Sequence, residues 1–126
     1  MGFFAESELL AERPVTADSL PLCGACGAWK KCVSPKMEPT GEGERGILVV
    51  AEGPGRQEDK AGTQLIGASG KVLRYALVRN GIDLDEDCWK TNALICRVRD
   101  DSDNNRKPTD AEINYCRPNL LKAILS

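Results

Sequence analysis

The chain has 126 residues, of which 41% are hydrophobic and 29% charged, and its formal net charge is −2. This length predicts one globular domain, and no apolar run reaches the roughly 20 residues of a membrane span. The sequence has no histidine, which excludes Ser–His and Cys–His catalysis, and the charge balance excludes a general basic field for nucleic acid. Residues 1–12 lack the pattern of a signal peptide, so we expect a cytoplasmic protein with no membrane partner.

The N-terminal part of the chain is rich in turn-forming residues. Residues 1–22 are predicted to be an extension with one or two helical turns, interrupted by Pro14 and Pro21. Residues 23–45 contain several further prolines and glycines and are predicted to form a loop.

Six cysteines are spread along the chain: Cys23, Cys26, Cys32, Cys88, Cys96 and Cys116. Cys23 and Cys26 form a CxxC motif, which lets two thiolates reach one metal or cluster from a tight turn. The motif alone is also compatible with a zinc knuckle or a redox pair. Cys32 and Cys88, taken singly, are equally well explained as small buried hydrophobic residues.

The central segment predicts a strand followed by a helix. Residues 46–51 are a short apolar run, typical of a parallel strand buried on both faces. The glycine-rich turn after it, residues 52–55, lies where open α/β sheets bind ligands. Residues 59–67 are predicted to be irregular, and a helix is expected over 70–80 with Ser69 as its N-cap.

The last third repeats that order. A second strand is predicted over residues 87–96, a polar loop over 97–107, and a helix opened by Thr109 with a capping box to Glu112. The resulting βαβα order predicts two parallel strands joined by a right-handed crossover. Two helices cannot cover both faces of such a sheet, so we expect half of a larger α/β fold, in which a second chain or a missing segment covers the free edge.

Several segments, in order between about residues 22 and 124, are similar to one family. The chain resembles the iron–sulfur (family 4) uracil-DNA glycosylases through Cys23-Gly-Ala-Cys26, Ile47 through Gly55 with Glu58-Asp59, Gly67 through Gly70, Thr91-Asn92, Cys96-Arg97, Asn105 through Pro108, and Glu112 through Cys116. The resemblance implies a three-layer α/β fold with a parallel sheet, here one domain over 1–126 shortened to about βαβα. It also implies that the C-terminal half, with a histidine-containing loop, is absent, so that this chain lacks part of the uracil pocket and its own activity is left open.

The resemblance implies a structural [4Fe–4S] cluster held by Cys23, Cys26, Cys96 and Cys116. Four thiolates from distant segments would pin the N-terminal loop to the second strand and the last helix. Zinc on the same cysteines is the alternative cofactor, and Cys32 is the nearest rival ligand.

The family hydrolyses the N-glycosidic bond of uracil flipped out of single- or double-stranded DNA. By resemblance Glu52 would activate water or stabilise the sugar cation, and Asn92 would read the uracil edge. The further residues expected to contact substrate are Gly53, Pro54, Gly55, Leu65, Ser69 and Asn105. Leu65 stands where the family has a phenylalanine, so base stacking should be weaker.

Three of these positions also have a purely structural interpretation: Glu52 as a solvated loop carboxylate, Asn92 as a strand-edge residue, and Asn105 as a turn residue. The acidic residues of the 97–107 loop would repel DNA phosphates unless they turn away. The alternative function is a non-catalytic iron–sulfur or zinc module that binds nucleic acid or protein on the same fold.

Overall fold

The computed structural model describes residues 15–16 and 18–126, so the helical turns expected near the N-terminus lie outside the described residues. Its elements are, in chain order, α1 (Cys23–Cys26), a 3-10 helix (Ala28–Lys31), β1 (Ile47–Ala51), α2 (Arg56–Ala61), α3 (Ala68–Val78), β2 (Cys88–Asn92) and α4 (Asp110–Leu125). The predicted α/β class is confirmed, and the predicted strand–helix–strand–helix order is found with one additional helix, α2, between β1 and α3.

The two strands pair in parallel, as the βαβ order predicts. The register runs from Ile47 opposite Cys88 to Ala51 opposite Asn92, and the Leu94 N–H continues the ladder by donating to Glu52 at 3.0 Å. On its other side β2 forms an antiparallel bridge with Thr40. The second strand therefore lies in the middle, and both strands end at the same edge of the sheet.

The expectation that both strands are buried on two faces is wrong for each of them. On β1 Ile47 is 36% and Val50 43% exposed, and on β2 Trp89 is 45% exposed, whereas Thr91 and Asn92 are each 1% exposed. Burial of a strand face depends on what packs against that face, and among the described residues these three side chains are left partly uncovered.

Several element assignments differ from expectation. Residues 23–45 are not loop throughout, because they contain α1 and the 3-10 helix. Residues 56–61 form helix α2 where part of an irregular segment was predicted, because this polar stretch has no apolar period to reveal it. Helix α3 has Gly67 as its N-cap, so the assignment of Ser69 to that position is wrong and Ser69 lies in the first turn. The second strand ends at Asn92, which leaves Cys96 in the segment that follows it.

The capping box of α4 is confirmed. The Glu112 N–H donates to the Thr109 hydroxyl at 3.1 Å, and the Thr109 N–H donates to the Glu112 carboxylate at 2.9 Å. Arg106 donates to both oxygens of that carboxylate and thereby holds the pKa of Glu112 below its usual value. The Leu22 N–H donates to the Tyr115 carbonyl at 3.0 Å, so the N-terminal segment is tied to this helix.

In the described part of the chain, every helix is too short or too polar to cross a membrane.

Candidate functional site

A cleft of ≈ 650 Å³ opens at the carboxyl ends of the two strands. Seven of the eight residues predicted to act on substrate line it: Glu52, Gly53, Gly55, Leu65, Ser69, Asn92 and Asn105. Pro54 is buried and lines a smaller adjoining cavity instead. The parallel register explains this convergence, because it brings the residues that follow β1 beside the end of β2.

Asn92 and Glu52 are the two side chains that this register brings together. Asn92 is 1% exposed, and within the described residues its amide makes one hydrogen bond, in which Nδ2 donates to the Met37 sulfur at 3.8 Å. Sulfur is a weak acceptor, so the amide keeps nearly its full capacity to bond a ligand. Glu52 is exposed and lines the same cleft.

Glu58 connects the glycine turn, residues 52–55, to the opposite wall of the cleft at residues 66–67. Its Oε1 accepts from the Gly55 N–H at 3.1 Å, and its Oε2 accepts from the N–H groups of Ile66 at 2.9 Å and Gly67 at 2.5 Å. Glu58 has no role among the expectations drawn from the sequence. The role of Glu58 could have been predicted from the sequence, because an acid three residues after Gly55 at the start of a helix has the spacing of a capping box.

Leu65 lies on the cleft wall with a backbone φ of 57°, a left-handed conformation that is rare for a bulky residue. Its carbonyl accepts from the Arg74 Nε–H at 3.2 Å. Arg74 also pairs with Asp85, which in turn pairs with buried Lys90 on β2. This chain of contacts ties the wall that carries Leu65 to the strand that carries Asn92.

Asn105 is oriented by a buried arginine that the sequence analysis did not single out. Arg97, 6% exposed, donates from Nε to Asn105 Oδ1 at 2.8 Å. The Asn105 Nδ2 then lies beside Gly55, where an added Cβ would approach it to 3.2 Å. The side chain therefore presents a donor rather than an acceptor at the glycine turn.

Two aspartates of the loop after β2 accept hydrogen bonds from groups of the same loop. Asp103 accepts from Arg97 and Arg99, each at 2.8 Å, and these hydrogen bonds, that from Arg99 first, hold the pKa of Asp103 below its usual range. Asp100 accepts from the backbone of Ser102 and Asn104, each at 2.9 Å. The two carboxylates are thus engaged within the loop, which reduces the repulsion expected toward a phosphate.

Four cysteines from three separate segments line one narrow cavity: Cys23, Cys26, Cys96 and Cys116. Burial raises the pKa of Cys26, and it raises the pKa of Cys96 to about 12; the negative charge of neighbouring thiolates adds to both shifts. Bound cations would reverse that preference, because a thiolate ligand is deprotonated on metal binding. Across residues 15–16 and 18–126, no three Cys, Asp or Glu side chains are close enough to hold a single metal ion.

The two remaining cysteines lie outside this cavity. Cys32 donates from Sγ to the carbonyls of Ala28 at 3.2 Å and Arg97 at 3.4 Å. Cys88 is 1% exposed at the start of β2, and burial raises the pKa of its thiol. Both positions fit a packed, protonated thiol.

Comparison with known proteins gives a consistent family signal. The model of the uracil DNA glycosylase superfamily matches residues 39–126. A type-4 uracil-DNA glycosylase of Pyrobaculum aerophilum is 41% identical over 67% of this chain, and one of Saccharolobus solfataricus is 35% identical over 87%. A DNA polymerase of Bacillus phage SP01 is 35% identical over 64% of this chain, which covers 8% of that polymerase. The chain spans 41% and 49% of the lengths of the two glycosylases.

Proposed function

Because the chain belongs to the uracil DNA glycosylase superfamily, we propose that it serves DNA base-excision repair by hydrolysing the N-glycosidic bond of uracil in DNA. The observation that carries this proposal is the cleft in which Glu52 and Asn92 lie at the adjoining ends of two parallel strands. The resemblance to type-4 uracil-DNA glycosylases supports the same reaction.

Asn92 is proposed to read the base. A uracil edge offers carbonyl acceptors and an N–H donor, and a carboxamide can donate to one and accept from the other. Cytosine presents an exocyclic amine where uracil presents a carbonyl, so the same amide would leave an unmatched donor against cytosine. The near-complete burial of Asn92 makes that mismatch costly, because an unsatisfied buried polar group costs about 1–3 kcal/mol.

Glu52 is proposed as the catalytic residue. Cleavage of the glycosidic bond leaves positive charge on the sugar, and a carboxylate placed nearby stabilises that charge or positions the attacking water. The flipped base must first leave the DNA stack and enter the cleft. Glu58 holds the turn and the opposite wall at a fixed spacing, so that this entry meets a preformed site.

The four cysteines that share one cavity are proposed to hold a [4Fe–4S] cluster. The donor set fits, since thiolates are the ligands that iron–sulfur clusters take, and each of the four would bind a different iron. The resemblance to type-4 uracil-DNA glycosylases favours a cluster over zinc on the same four cysteines. When bound, the cluster supplies structural cross-linking of α1, the segment after β2, and α4.

The proposal is tested by incubating the anaerobically reconstituted chain with a single-stranded oligonucleotide that carries one uracil. We expect an abasic site at the uracil, seen as strand cleavage after alkali treatment, and none in the matched cytosine oligonucleotide. Glu52→Gln should slow formation of the abasic site by about 10²–10³-fold, and Glu86→Gln, which changes an exposed acid away from the cleft, should not. Absence of an abasic site with the unaltered chain would overturn the proposal.

The match to part of a phage DNA polymerase favours a second candidate, a module that binds DNA without cutting the glycosidic bond. The presence of Leu65 in place of an aromatic residue agrees with it, because leucine offers no π-face to a base. The same assay separates the two: binding to uracil-containing DNA with no abasic product supports the module.

A further inference from the structure

Three arginines converge on one aspartate, Asp103, next to the cleft residues Asn104 and Asn105. Asp103 Oδ1 accepts from Arg97 and Arg99, and its main-chain carbonyl accepts from Arg56 at 2.6 Å. The residues come from two places in the chain, the start of α2 and the loop after β2. One aspartate cannot occupy the donors of three guanidinium groups, each of which carries five N–H bonds.

Arg97 has a structural role in this cluster. Its side chain is 5% exposed, and Nε, Nη1 and Nη2 all donate to Asn105 or Asp103. It therefore has little capacity for an external ligand.

Arg56 and Arg99 differ from Arg97 in having unused donors. Within the described residues Arg56 donates only from Nη2, and Arg99 only from Nη1. Their side chains are 60% and 32% exposed. Arg99 Nε is buried and is the one such side-chain nitrogen or oxygen without a hydrogen-bond partner in residues 15–16 and 18–126.

We propose that Arg56 and Arg99 form a binding site for a phosphodiester group of the DNA strand whose base enters the cleft. The guanidinium fork matches two phosphate oxygens, and charge-assisted bonds of this kind are about twice as strong as neutral ones. Arg56 lines the cleft beside Asn105, and Arg99 forms a backbone bridge with Asn105, so the site adjoins the expected nucleotide. The inference rests on the proposed DNA substrate.

The proposed site binds phosphate through directed guanidinium N–H donors rather than through a general positive field. The three arginines are balanced in formal charge by three acids of the loop after β2, Asp100, Asp101 and Asp103. Asp100 is engaged with backbone N–H groups and Asp103 with the arginines, so neither presents a free carboxylate to the strand.

The test measures binding to a uracil-free oligothymidine over a range of salt concentrations. We expect Arg56→Gln and Arg99→Gln each to weaken binding about tenfold at low salt and to reduce the slope of log K against log salt by about 1. Arg79→Gln removes the same charge from an exposed arginine near the end of α3, outside the cleft lining, and should leave the slope unchanged.

Equal effects of the Arg56, Arg99 and Arg79 substitutions would overturn the inference. It would also be overturned if no substitution changed binding, or if the unaltered chain failed to bind at low salt. Titration with inorganic phosphate at constant ionic strength distinguishes a phosphodiester of DNA from free phosphate as the ligand of this site. We expect the oligonucleotide to saturate the site at a concentration at least about tenfold lower; equal affinity would overturn DNA as the ligand. Uracil excision is scored separately by abasic-site formation, so either proposal can fail alone.

Discussion

Gly70, in the first turn of α3, lies directly against the backbone of Leu65. A Cβ placed on Gly70 would lie 2.0 Å from the Leu65 carbonyl oxygen and 2.2 Å from its carbon. The contact is between two backbones, so no side chain can move to relieve it. The left-handed Leu65 on the cleft wall and the glycine in the helix are therefore mutually dependent.

This contact predicts the effect of Gly70→Ala. We expect a loss of about 1–3 kcal/mol in the free energy of unfolding, the usual cost of overpacking, measured by urea denaturation. Gly24→Ala is the matched control, because nothing lies within 4 Å of a Cβ built there and Gly24 is within α1. A Gly70→Ala variant as stable as the unaltered chain would contradict the close approach.

Removal of the Asn92 carboxamide should weaken uracil processing selectively. We expect Asn92→Ala to lower kcat/KM on uracil-containing single-stranded DNA by about 10–100-fold, the cost of one or two hydrogen bonds in a buried site. Asn80→Ala, at an exposed position after α3, should leave kcat/KM unchanged. Equal losses in the two variants would show that Asn92 has no special role.

Substitution of Glu52 should separate catalysis from binding. We expect Glu52→Gln to lower kcat by about 10²–10³-fold while the affinity for uracil-containing DNA changes little, because the carboxylate acts on charge that develops in the transition state. Single-turnover rates and equilibrium binding on the same oligonucleotide make the comparison. A parallel loss of affinity and rate would assign Glu52 to substrate binding instead.

The cysteine cavity predicts the outcome of metal analysis. Anaerobic reconstitution should give about four irons per chain, the content of a [4Fe–4S] site. Cys116→Ser should lose most of that iron, and Cys88→Ser should retain it because Cys88 lies outside the cavity. Stoichiometric zinc in place of iron, or equal losses in both variants, would contradict the cluster assignment.

The Arg106–Glu112 pair predicts a pH dependence of stability. Hydrogen bonds from Arg106 lower the folded-state pKa of Glu112 below its ordinary 4.5, so the stabilisation is present above that value and is lost as pH falls through the folded pKa. Glu112→Gln should reduce stability at pH 7 by about 1–2 kcal/mol and remove this part of the acid dependence.

Urea denaturation at neutral and acidic pH checks the Glu112 prediction. Glu42→Gln, at an exposed position whose side chain makes no hydrogen bond among the described residues, should follow the unaltered chain at every pH. A Glu112→Gln variant with the same acid dependence as the unaltered chain would contradict the assignment.

Local sequence patterns predicted much of the fold. The apolar run before Glu52 identified β1, and Thr109 with Glu112 identified the start of α4, because strand burial and helix capping are read from neighbouring residues. Helix α2 was missed because its residues are polar all round. The exposure of Val50 was also missed, since burial on the second face of a strand depends on what packs there and not on the strand itself.

The site was predictable where a motif marks it and unpredictable where it depends on long-range contacts. The glycine turn follows the first predicted strand directly, and Asn92, which lay inside the predicted strand 87–96, was identified by the family resemblance; both line the cleft. The roles of Glu58 and Arg97 arise from hydrogen bonds to backbone and side chains that only the folded chain brings within reach.

The central claim, that Asn92 reads uracil inside this cleft, is tested most directly by NMR titration of the isotopically labelled chain with free uracil. The account predicts a saturable shift of the Asn92 side-chain amide and no shift of the Asn80 amide, with cytosine producing neither. A titration in which the Asn92 amide does not move, or moves equally with cytosine, would contradict it.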